Sequence, residues 1–276
     1  MPGTLILCAT PIGNLGDITQ RLTDALESAN VAYAEDTRRS RTLLDHLGIT
    51  VPLRSYFVGN EAARAGELGE RFEAGQTVVL LTDAGMPAIS DPGVSAVQIA
   101  VEHDATVTVI PGASAVTSAL AVSGFGGDRF VFEGFLPRKG PDRKARIAEM
   151  AREQRTIVFF AAPSRLVADL DALESTIGPD RAVVVARELT KRHEEVFRGT
   201  IATAREHFGN GVKGEVTVVV HGADPSTPSL EDALSLVTAE MAEGQSLSQA
   251  VRQVADDLGM KKRHLYEAAL RLGDSG

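Results

Sequence analysis

Short apolar runs alternate with longer amphipathic runs along the first half of the chain, and this order restricts the fold more than any other feature. Strand-like runs occur at 4–8, 31–34, 77–82 and 106–110, and helical patterns occur at 18–28, 38–47, 61–74, 94–102 and 113–122. Strands that alternate with helices form mostly parallel sheets. We therefore predict an α/β fold with a parallel-rich N-terminal sheet.

A glycine-rich segment at 124–127 separates this half from a second alternation. Strand-like runs follow at 130–133, 156–160, 182–187, 195–198 and 215–220, with helical patterns at 143–152 and 163–174. We predict a mixed C-terminal sheet here. The proline-containing stretch 224–228 marks another boundary. The sequence thus predicts two α/β domains and a helical C-terminal extension, at 1–124, 128–224 and 228–276.

The extension has helical periodicity throughout. Its apolar spacing, with Gly259 at a turn, resembles a helix-turn-helix that contacts nucleic acid. A docked helical hairpin without any nucleic-acid contact explains the same spacing. The sequence leaves both interpretations open.

Composition and length limit the class of protein and its location. A chain of 276 residues with 43% hydrophobic residues is long enough for two cores. It contains no apolar run of about 18 residues and no signal-peptide features, so we predict a cytoplasmic protein outside the membrane. The single cysteine, Cys8, cannot form an internal disulfide. The net charge of −9 requires that any contact with nucleic acid rely on local basic clusters.

Three connections rich in glycine and proline follow predicted strands, at 10–17, 82–93 and 110–115. The carboxyl ends of strands are where α/β sheets place ligands, and glycine lets the backbone approach a ligand closely. The segment 82–93 contains two Gly, two Pro and two Asp, and such a loop can surround an adenosyl group. No G-x-G-x-x-G or GK[ST] spacing occurs here, which disfavours a nicotinamide dehydrogenase. The histidine spacing predicts no metal site.

Two basic segments stand out in this acidic chain. A helix that begins near Thr37 would place Arg38 and Arg41 on one face and Arg39 off it, beside two carboxylates. A second cluster follows Glu133, and its members are Arg138, Lys139, Arg143, Lys144 and Arg146. Both segments are candidate phosphate-binding surfaces. Solvated helix starts are the alternative.

The chain contains, in this order, the segments TPIGNLGDIT, AEDTRRSRTLL, LTDAGMPAISDPG, IPGASA, EGFLPRKG and ARELTKRHEE. Together they resemble the 16S ribosomal RNA cytidine 2′-O-methyltransferases, a branch of the tetrapyrrole methylase fold, over residues 3–222. The resemblance implies a homodimer with S-adenosylmethionine in the cleft between the two α/β domains. It also implies that the acceptor is a cytidine ribose in the decoding region of 16S ribosomal RNA in the small ribosomal subunit.

The resemblance also implies site residues. The expected cofactor-binding residues are Pro11, Asp83, Gly85, Met86, Ile89, Ser90, Ala113, Ser114, Phe160 and Leu189. The expected RNA-binding residues are Arg38, Arg39, Arg41, Arg138, Lys139, Arg143 and Lys144. A carboxylate beside the acceptor hydroxyl can take its proton, and the candidates are Asp36 and Glu133, between which the sequence does not decide.

The chain departs from the family pattern in two places. The pattern F-Y-E-x-x-H-R corresponds to 159–165, where Ala161 and Ser164 replace the glutamate and the histidine and only Arg165 remains of that cluster. A later strand that usually ends in Glu-Gly ends here in His221-Gly222. These departures keep open a non-catalytic RNA-binding assembly factor. The other alternative is a methylase of a small tetrapyrrole, which the exposed basic segments disfavour.

Overall fold

The structure, a computed structural model, describes residues 2–224, 230–242, 244–258, 260 and 262–273, with the backbone alone at 231, 232 and 271–273. The density of contacts divides the chain into two compact units, Met1–Gly222 and Ala223–Gly276. The first unit contains two five-stranded sheets.

The first sheet is wholly parallel, as the alternation of strands and helices predicts. Its strands are β1 (Thr4–Cys8), β2 (Val31–Ala34), β3 (Leu53–Ser55), β4 (Thr77–Leu81) and β5 (Thr106–Ile110), in the spatial order β3-β2-β4-β1-β5. The helices between and after them are α1 (Gln20–Ser28), α2 (Thr37–Leu47), α3 (Glu61–Glu73), α4 (Val94–Glu102) and α5 (Ala115–Ser123). Two separate apolar clusters, one around Leu44 and one around Phe72, bury the two faces of the sheet.

Local hydrogen bonds set the element boundaries that periodicity missed. Helix α1 begins two residues later than predicted, because Leu15–Asp17 forms a 3-10 turn and Thr19 then caps the helix through the N–H of Leu22. Strand β3 was not predicted, since it has only three residues and one apolar side chain. It forms through pairing with β2 at the edge of the sheet.

The second sheet is mixed, as predicted. Its strands are β6 (Phe130–Phe135), β7 (Thr156–Ala161), β8 (Ala182–Arg187), β9 (Glu195–Thr200) and β10 (Val216–Val220), in the order β6-β7-β10-β8-β9. Only β6 and β7 pair in parallel, and the other pairs are antiparallel. The helices of this region are α6 (Pro141–Arg152), α7 (Leu166–Ile177) and α8 (Ile201–His207). The short helix α8 was not predicted, and Thr200 caps it through the N–H of Thr203.

Helix α5 joins the two sheets of the first unit. Its buried side chains Val116, Ala119 and Leu120 belong to one apolar cluster with Val158 and Val219 of the second sheet. The loops after the parallel strands therefore lie beside the second sheet, where a ligand can contact both.

The second unit is a three-helix domain. Its helices are α9 (Leu230–Ala242), α10 (Leu247–Asp257) and α11 (Lys262–Gly273). They surround their own core, which includes Val237, Val251 and Leu265. The predicted turn glycine, Gly259, lies outside the described residues. Across both units, none of the described helices has the length and apolar character that crossing a membrane requires.

Candidate functional site

A cavity of about 430 Å³ lies where the loops after β1, β2 and β4 and the start of α5 meet strands β6, β7 and β10. This volume is typical of sites for small organic ligands. Side chains of the loops, of α5 and of the second sheet line it, including Ile12, Met86, Val116, Phe135 and Phe160. The cavity is thus apolar over much of its wall and stands at the edge that the sequence predicts for a ligand.

The loop after β4 is held rigidly at the cavity. The backbones of Thr10 and Gly85 exchange two hydrogen bonds of 2.9 and 3.1 Å, which tie this loop to the end of β1. The hydroxyl of Thr82 donates to Asp91 Oδ2 at 2.5 Å and so braces the two ends of the loop. Gly85, at φ +85°, adopts a conformation that other residues rarely take. The loop therefore presents its backbone to the cavity in one fixed form.

Backbone strain is concentrated beside the cavity. Five non-glycine residues in the described part of the chain have positive φ, and four of them lie in two loops. Ala88 and Ser90 belong to the loop after β4, and Glu188 and Thr190 belong to the loop after β8. Such conformations persist only where the surroundings fix them, and they cluster at functional sites.

Seven of the ten residues expected to bind the cofactor line the cavity, namely Asp83, Gly85, Met86, Ile89, Ser90, Ser114 and Phe160. Pro11 lies between the anchoring residue Thr10 and the cavity residue Ile12. Ala113 and Leu189 belong to the apolar cluster between the sheets. Ser114 precedes α5 but makes no side-chain capping bond, which leaves its hydroxyl available to a ligand.

Four carboxylates and one guanidinium line the cavity, and one of the carboxylates, Glu215, pairs with Lys191 at 2.9 Å. Glu35, Asp83, Asp91 and Arg39 all line it, and Arg39 Nη1 lies 3.4 Å from Asp83 Oδ2. Burial, followed by repulsion from Asp91 and Asp83, raises the pKa of Glu35 above its usual value. Burial also raises the pKa of Asp91. This excess of negative charge favours a cationic ligand group.

The two carboxylates proposed from the sequence as bases have other partners. Asp36 caps α2 through the N–H of Arg38, and its carboxylate also binds the Arg38 guanidinium at 2.9 Å. These bonds lower the pKa of Asp36 to about 2, which makes it a weak base. Glu133 pairs with Arg146 at 3.0 Å. Neither residue is among those that line the cavity, whereas Glu35, the residue before Asp36, is.

The arginines of α2 take two directions, as the helical spacing predicts. Arg38 and Arg41 line one open surface depression together with Thr37 and Leu53. Arg39 instead reaches the cavity. The side chain of Arg38 is 90% exposed and is therefore accessible to a large partner.

The second basic cluster divides into exposed and buried members. Arg138, Lys139 and Lys144 are exposed around the turn from β6 to α6. Arg143 is only 13% exposed and pairs with the buried Asp169 at 2.7 Å. It also donates to the carbonyl of Pro137 at 3.2 Å. The Arg143 guanidinium therefore holds the turn, and its contact with RNA stays a prediction.

The segment that departs from the family pattern adjoins the cavity. Ala161 and Pro163 line the cavity, whereas Ser164 is exposed outside it. Arg165 donates to the Pro137 carbonyl at 3.3 Å and lies 3.4 Å from Asp169, so it shares the structural role of Arg143. His221 packs edge-on against Phe125 and is not among the cavity residues.

Sequence reasoning missed several lining residues, among them Glu35, Asp91, Phe135 and the segment 214–217. The first two follow or belong to connections at the carboxyl ends of strands, and this position was a usable signal. No comparable signal marked residues 214–217, which lead into and begin β10 and reach the cavity only through the mixed topology of the second sheet.

Comparisons with known proteins agree with this architecture. The family model of the Tetrapyrrole (Corrin/Porphyrin) Methylases matches residues 4–205. The chain therefore belongs to the tetrapyrrole methylase family and is a methyltransferase, as predicted. Residues 227–273 match the RsmI C-terminal HTH domain, which favours the helix-turn-helix interpretation of the second unit.

Curated relatives identify the branch of the family to which the chain is most similar in sequence. A protein named Ribosomal RNA small subunit methyltransferase I from Synechocystis sp. is 44% identical, over 99% of this chain and 100% of its own length. A protein of the same name from Mycobacterium tuberculosis is 43% identical, over 98% of this chain and 95% of its own length. One of the same name from Thermotoga maritima is 45% identical over 80% of this chain and 100% of its own length. The predicted resemblance to this branch of the family is thereby confirmed.

Solved structures share the fold at low sequence identity. The methyltransferase CobJ matches with a TM-score of 0.61 and 19% identity, over 81% of this chain and 95% of its own. Diphthine synthase matches with a TM-score of 0.60 and 17% identity, over 79% and 89%. These matches confirm the predicted tetrapyrrole methylase fold.

Proposed function

We propose that this protein transfers a methyl group from S-adenosylmethionine to the 2′-hydroxyl of a cytidine in the decoding region of 16S ribosomal RNA. The observation that carries the proposal is an acidic, partly apolar cavity next to an exposed arginine surface on α2. The names of the relatives at 38–44% identity support a ribosomal RNA acceptor in the small subunit.

The cavity fits the chemistry of S-adenosylmethionine. This cofactor supplies an electrophilic methyl group on a sulfonium cation, and it carries a flat adenine. Asp83 and Asp91 complement a cation, while Met86 and Phe160 offer apolar contacts to a flat ring. A uroporphyrin-III C-methyltransferase from Thermus thermophilus that shares the fold, at a TM-score of 0.54 and 19% identity, was crystallised with S-adenyl homocysteine.

Glu35 is our candidate for the general base. Asp83 accepts the N–H of Asp36 and faces Arg39, and Asp91 accepts the hydroxyl of Thr82. Burial and the neighbouring carboxylates raise the pKa of Glu35, which makes it a stronger base than an ordinary carboxylate. It can therefore take the proton of the ribose hydroxyl as the oxygen attacks the methyl carbon.

The exposed cations bind phosphates and so orient the RNA relative to the cavity. Arg38 and Arg41 lie at the depression on α2, and Arg138, Lys139 and Lys144 lie at the β6–α6 turn. Contacts of this kind to phosphates orient a nucleic acid without reading its sequence. We propose that they direct a ribose into the cavity, with Arg39 at the cavity wall.

A second copy of the chain is part of the proposal, as the resemblance implies. Strand β5 ends the first sheet, and its side chains Val107 and Val109 are 36% and 45% exposed. An exposed apolar edge strand is a typical protein contact. We propose that the protein acts as a cytoplasmic homodimer. Sedimentation as a monomer at micromolar concentration would refute the proposed dimer.

Incubation with labelled S-adenosylmethionine tests the proposal against its alternatives. The acceptors to compare are small ribosomal subunits from cells that lack this protein and a corrinoid precursor. We expect label in the ribosomal RNA alone. Label in the corrinoid would support the small-tetrapyrrole methylase, and cofactor binding without transfer to either acceptor would support a non-catalytic factor.

Substitution of Asp36 by asparagine tests the alternative base. Asparagine also caps helices well, so the start of α2 should be preserved. We expect cofactor affinity and kcat to remain close to those of the wild type, because Asp36 is not among the cavity residues. Calorimetry and methyl-transfer kinetics measure the two quantities. A large loss of kcat with normal cofactor binding would restore Asp36 as the base.

Removal of residues 223–276 tests the role of the three-helix unit. All residues that line the cavity precede this unit, so cofactor affinity should be unchanged. If the tail contacts RNA, KM for small subunits should rise on the order of 10-fold through lost phosphate contacts. An unchanged KM would refute an RNA contact by the tail.

A further inference from the structure

An exposed aromatic ring stands at the cavity and has no part in the function described so far. Phe135, the last residue of β6, lines the cavity although its side chain is 57% exposed. Its ring lies 5.5 Å from that of Phe160, and Phe160 packs edge-on against Phe132 at 5.0 Å. Phe135 is therefore supported from within by two other rings and is open to solvent.

A β-bulge places Phe135 at this position. Phe132 pairs with Val158 of β7, and Phe135 pairs with Phe160, so β6 uses three steps where β7 uses two. Without the extra residue, the alternation of side chains would put Phe135 on the opposite face from Phe132. Gly134 provides the turn with φ +61°, and a Cβ there would lie 3.3 Å from Ser90 Oγ. The bulge thus brings Phe135 to the cavity beside the loop after β4.

The residues that follow Phe135 link it to the RNA surface. Arg138 and Lys139 are exposed on the turn that begins directly after β6. Arg143 and Arg165 both donate to the carbonyl of Pro137 and hold this turn in place. An aromatic ring at the cavity, a fixed turn and two exposed cations therefore follow one another directly along the chain.

We propose that Phe135 is the platform on which the base of the acceptor nucleotide stacks, an inference that rests on the proposed function. A ribose whose 2′-hydroxyl approaches Glu35 must enter the cavity with its base withdrawn from the RNA stack. Proteins stabilise such unstacked bases by stacking them on aromatic side chains. Stacking accepts any base, so Phe135 contributes affinity and position, and the selection of cytidine depends on other groups.

The test compares Phe135→Ala, Phe135→Leu and Phe135→Trp with the wild type. The readouts are KM for small ribosomal subunits and the Kd of S-adenosylmethionine measured by calorimetry. Loss of one stacked base should raise KM by roughly 5- to 150-fold in the alanine variant. Leucine fills the apolar space but cannot stack, so Phe135→Leu should behave like alanine, while tryptophan should preserve KM. Phe130→Ala, at the opposite end of β6 and 37% exposed, is the matched control and should leave KM unchanged.

Three results would overturn the inference. A leucine variant with the wild-type KM would show that Phe135 only packs. A rise in the Kd of S-adenosylmethionine that equals the rise in KM would assign the ring to the cofactor adenine. An alanine variant with the wild-type KM would show that Phe135 does not stack on the base of the acceptor nucleotide. Turnover by the wild type in these experiments leaves the proposed function intact, whereas wild-type protein that binds the cofactor and transfers no methyl group would overturn both.

Discussion

Replacement of Glu35 by glutamine is expected to lower kcat for small ribosomal subunits by about 100- to 10,000-fold, the usual contribution of a positioned general base. Glutamine has nearly the same shape, so the cavity should keep its form. Glu35 lines the cavity together with Asp83 and Asp91. The affinity for S-adenosylmethionine should change little, because the two aspartates keep most of the negative charge.

The pH dependence of the reaction follows from the raised pKa of Glu35. A general base acts only when it is deprotonated, so kcat should fall as pH falls through that raised pKa. The acidic limb should therefore lie at higher pH than for an ordinary carboxylate, whose pKa is about 4.3. The residual activity of Glu35→Gln should lack this limb. A profile that keeps the same limb in the variant would assign it to another group.

The same shift has a consequence for stability. Because the folded-state pKa of Glu35 lies above its unfolded value, ionisation of this group opposes folding. The penalty is absent below the unfolded pKa, appears as pH rises through the window between the two values, and is complete above the folded pKa. At neutral pH, Glu35→Gln should thus have an unchanged or higher Tm. A lower Tm would mean that the carboxylate has a structural role, and the loss of kcat would then prove nothing.

Glu133→Gln is the matched control for this substitution. Glu133 pairs with Arg146 and is not among the cavity residues. The variant should retain kcat and lose only the ion pair. A loss of kcat in Glu133→Gln, with kcat retained in Glu35→Gln, would reverse the assignment of the base.

Asp169→Ala is expected to have the largest effect on stability, about 3–5 kcal/mol, as found when one partner of a buried ion pair is removed. Asp169 is 3% exposed, with Arg143 at 2.7 Å and Arg165 at 3.4 Å. Its removal would leave the 13%-exposed guanidinium of Arg143 without its carboxylate. Urea denaturation at neutral pH measures the free energy of unfolding.

The matched control lies two residues further along the same helix. Asp171 pairs with Arg205, but its side chain is 47% exposed. Exposed ion pairs contribute little, so Asp171→Ala should lose only a small fraction of the stability that Asp169→Ala loses. Equal losses in the two variants would contradict the importance of burial at Asp169.

The ion pair also supports the turn between β6 and α6, at which we propose that RNA binds. Arg143 and Arg165 donate to the Pro137 carbonyl, and Asp169 holds both guanidinium groups. A conservative Asp169→Asn variant that still folds should raise KM for small subunits more than it weakens cofactor binding.

Individual residues show which features of the fold and the site could be predicted from the sequence. The alternation of strands and helices sufficed for the two sheets, because each element buries its own apolar face. Sequence reasoning named Asp36 and Glu133 as candidate bases and missed Glu35, although Asp36 caps α2 and the residue before it lines the cavity. The preference of aspartate for the cap could have indicated this.

Other features depended on distant contacts and could not be predicted. The burial of Arg143 requires Asp169, which lies on α7 and follows an intervening strand. The position of Phe135 requires a bulge, which is defined only by the register of β6 against β7. Hydrophobic periodicity within one element contains neither kind of information.

Nucleoside mapping of the methylated RNA tests the central claim most directly. Small ribosomal subunits from cells without this protein would be incubated with the purified protein and S-adenosylmethionine, and the new modification would be located by mass spectrometry. We predict a single new 2′-O-methylcytidine in the decoding region of 16S ribosomal RNA, absent when Glu35→Gln replaces the wild type. A methyl group on a base, or no new methyl group in this RNA, would contradict the account.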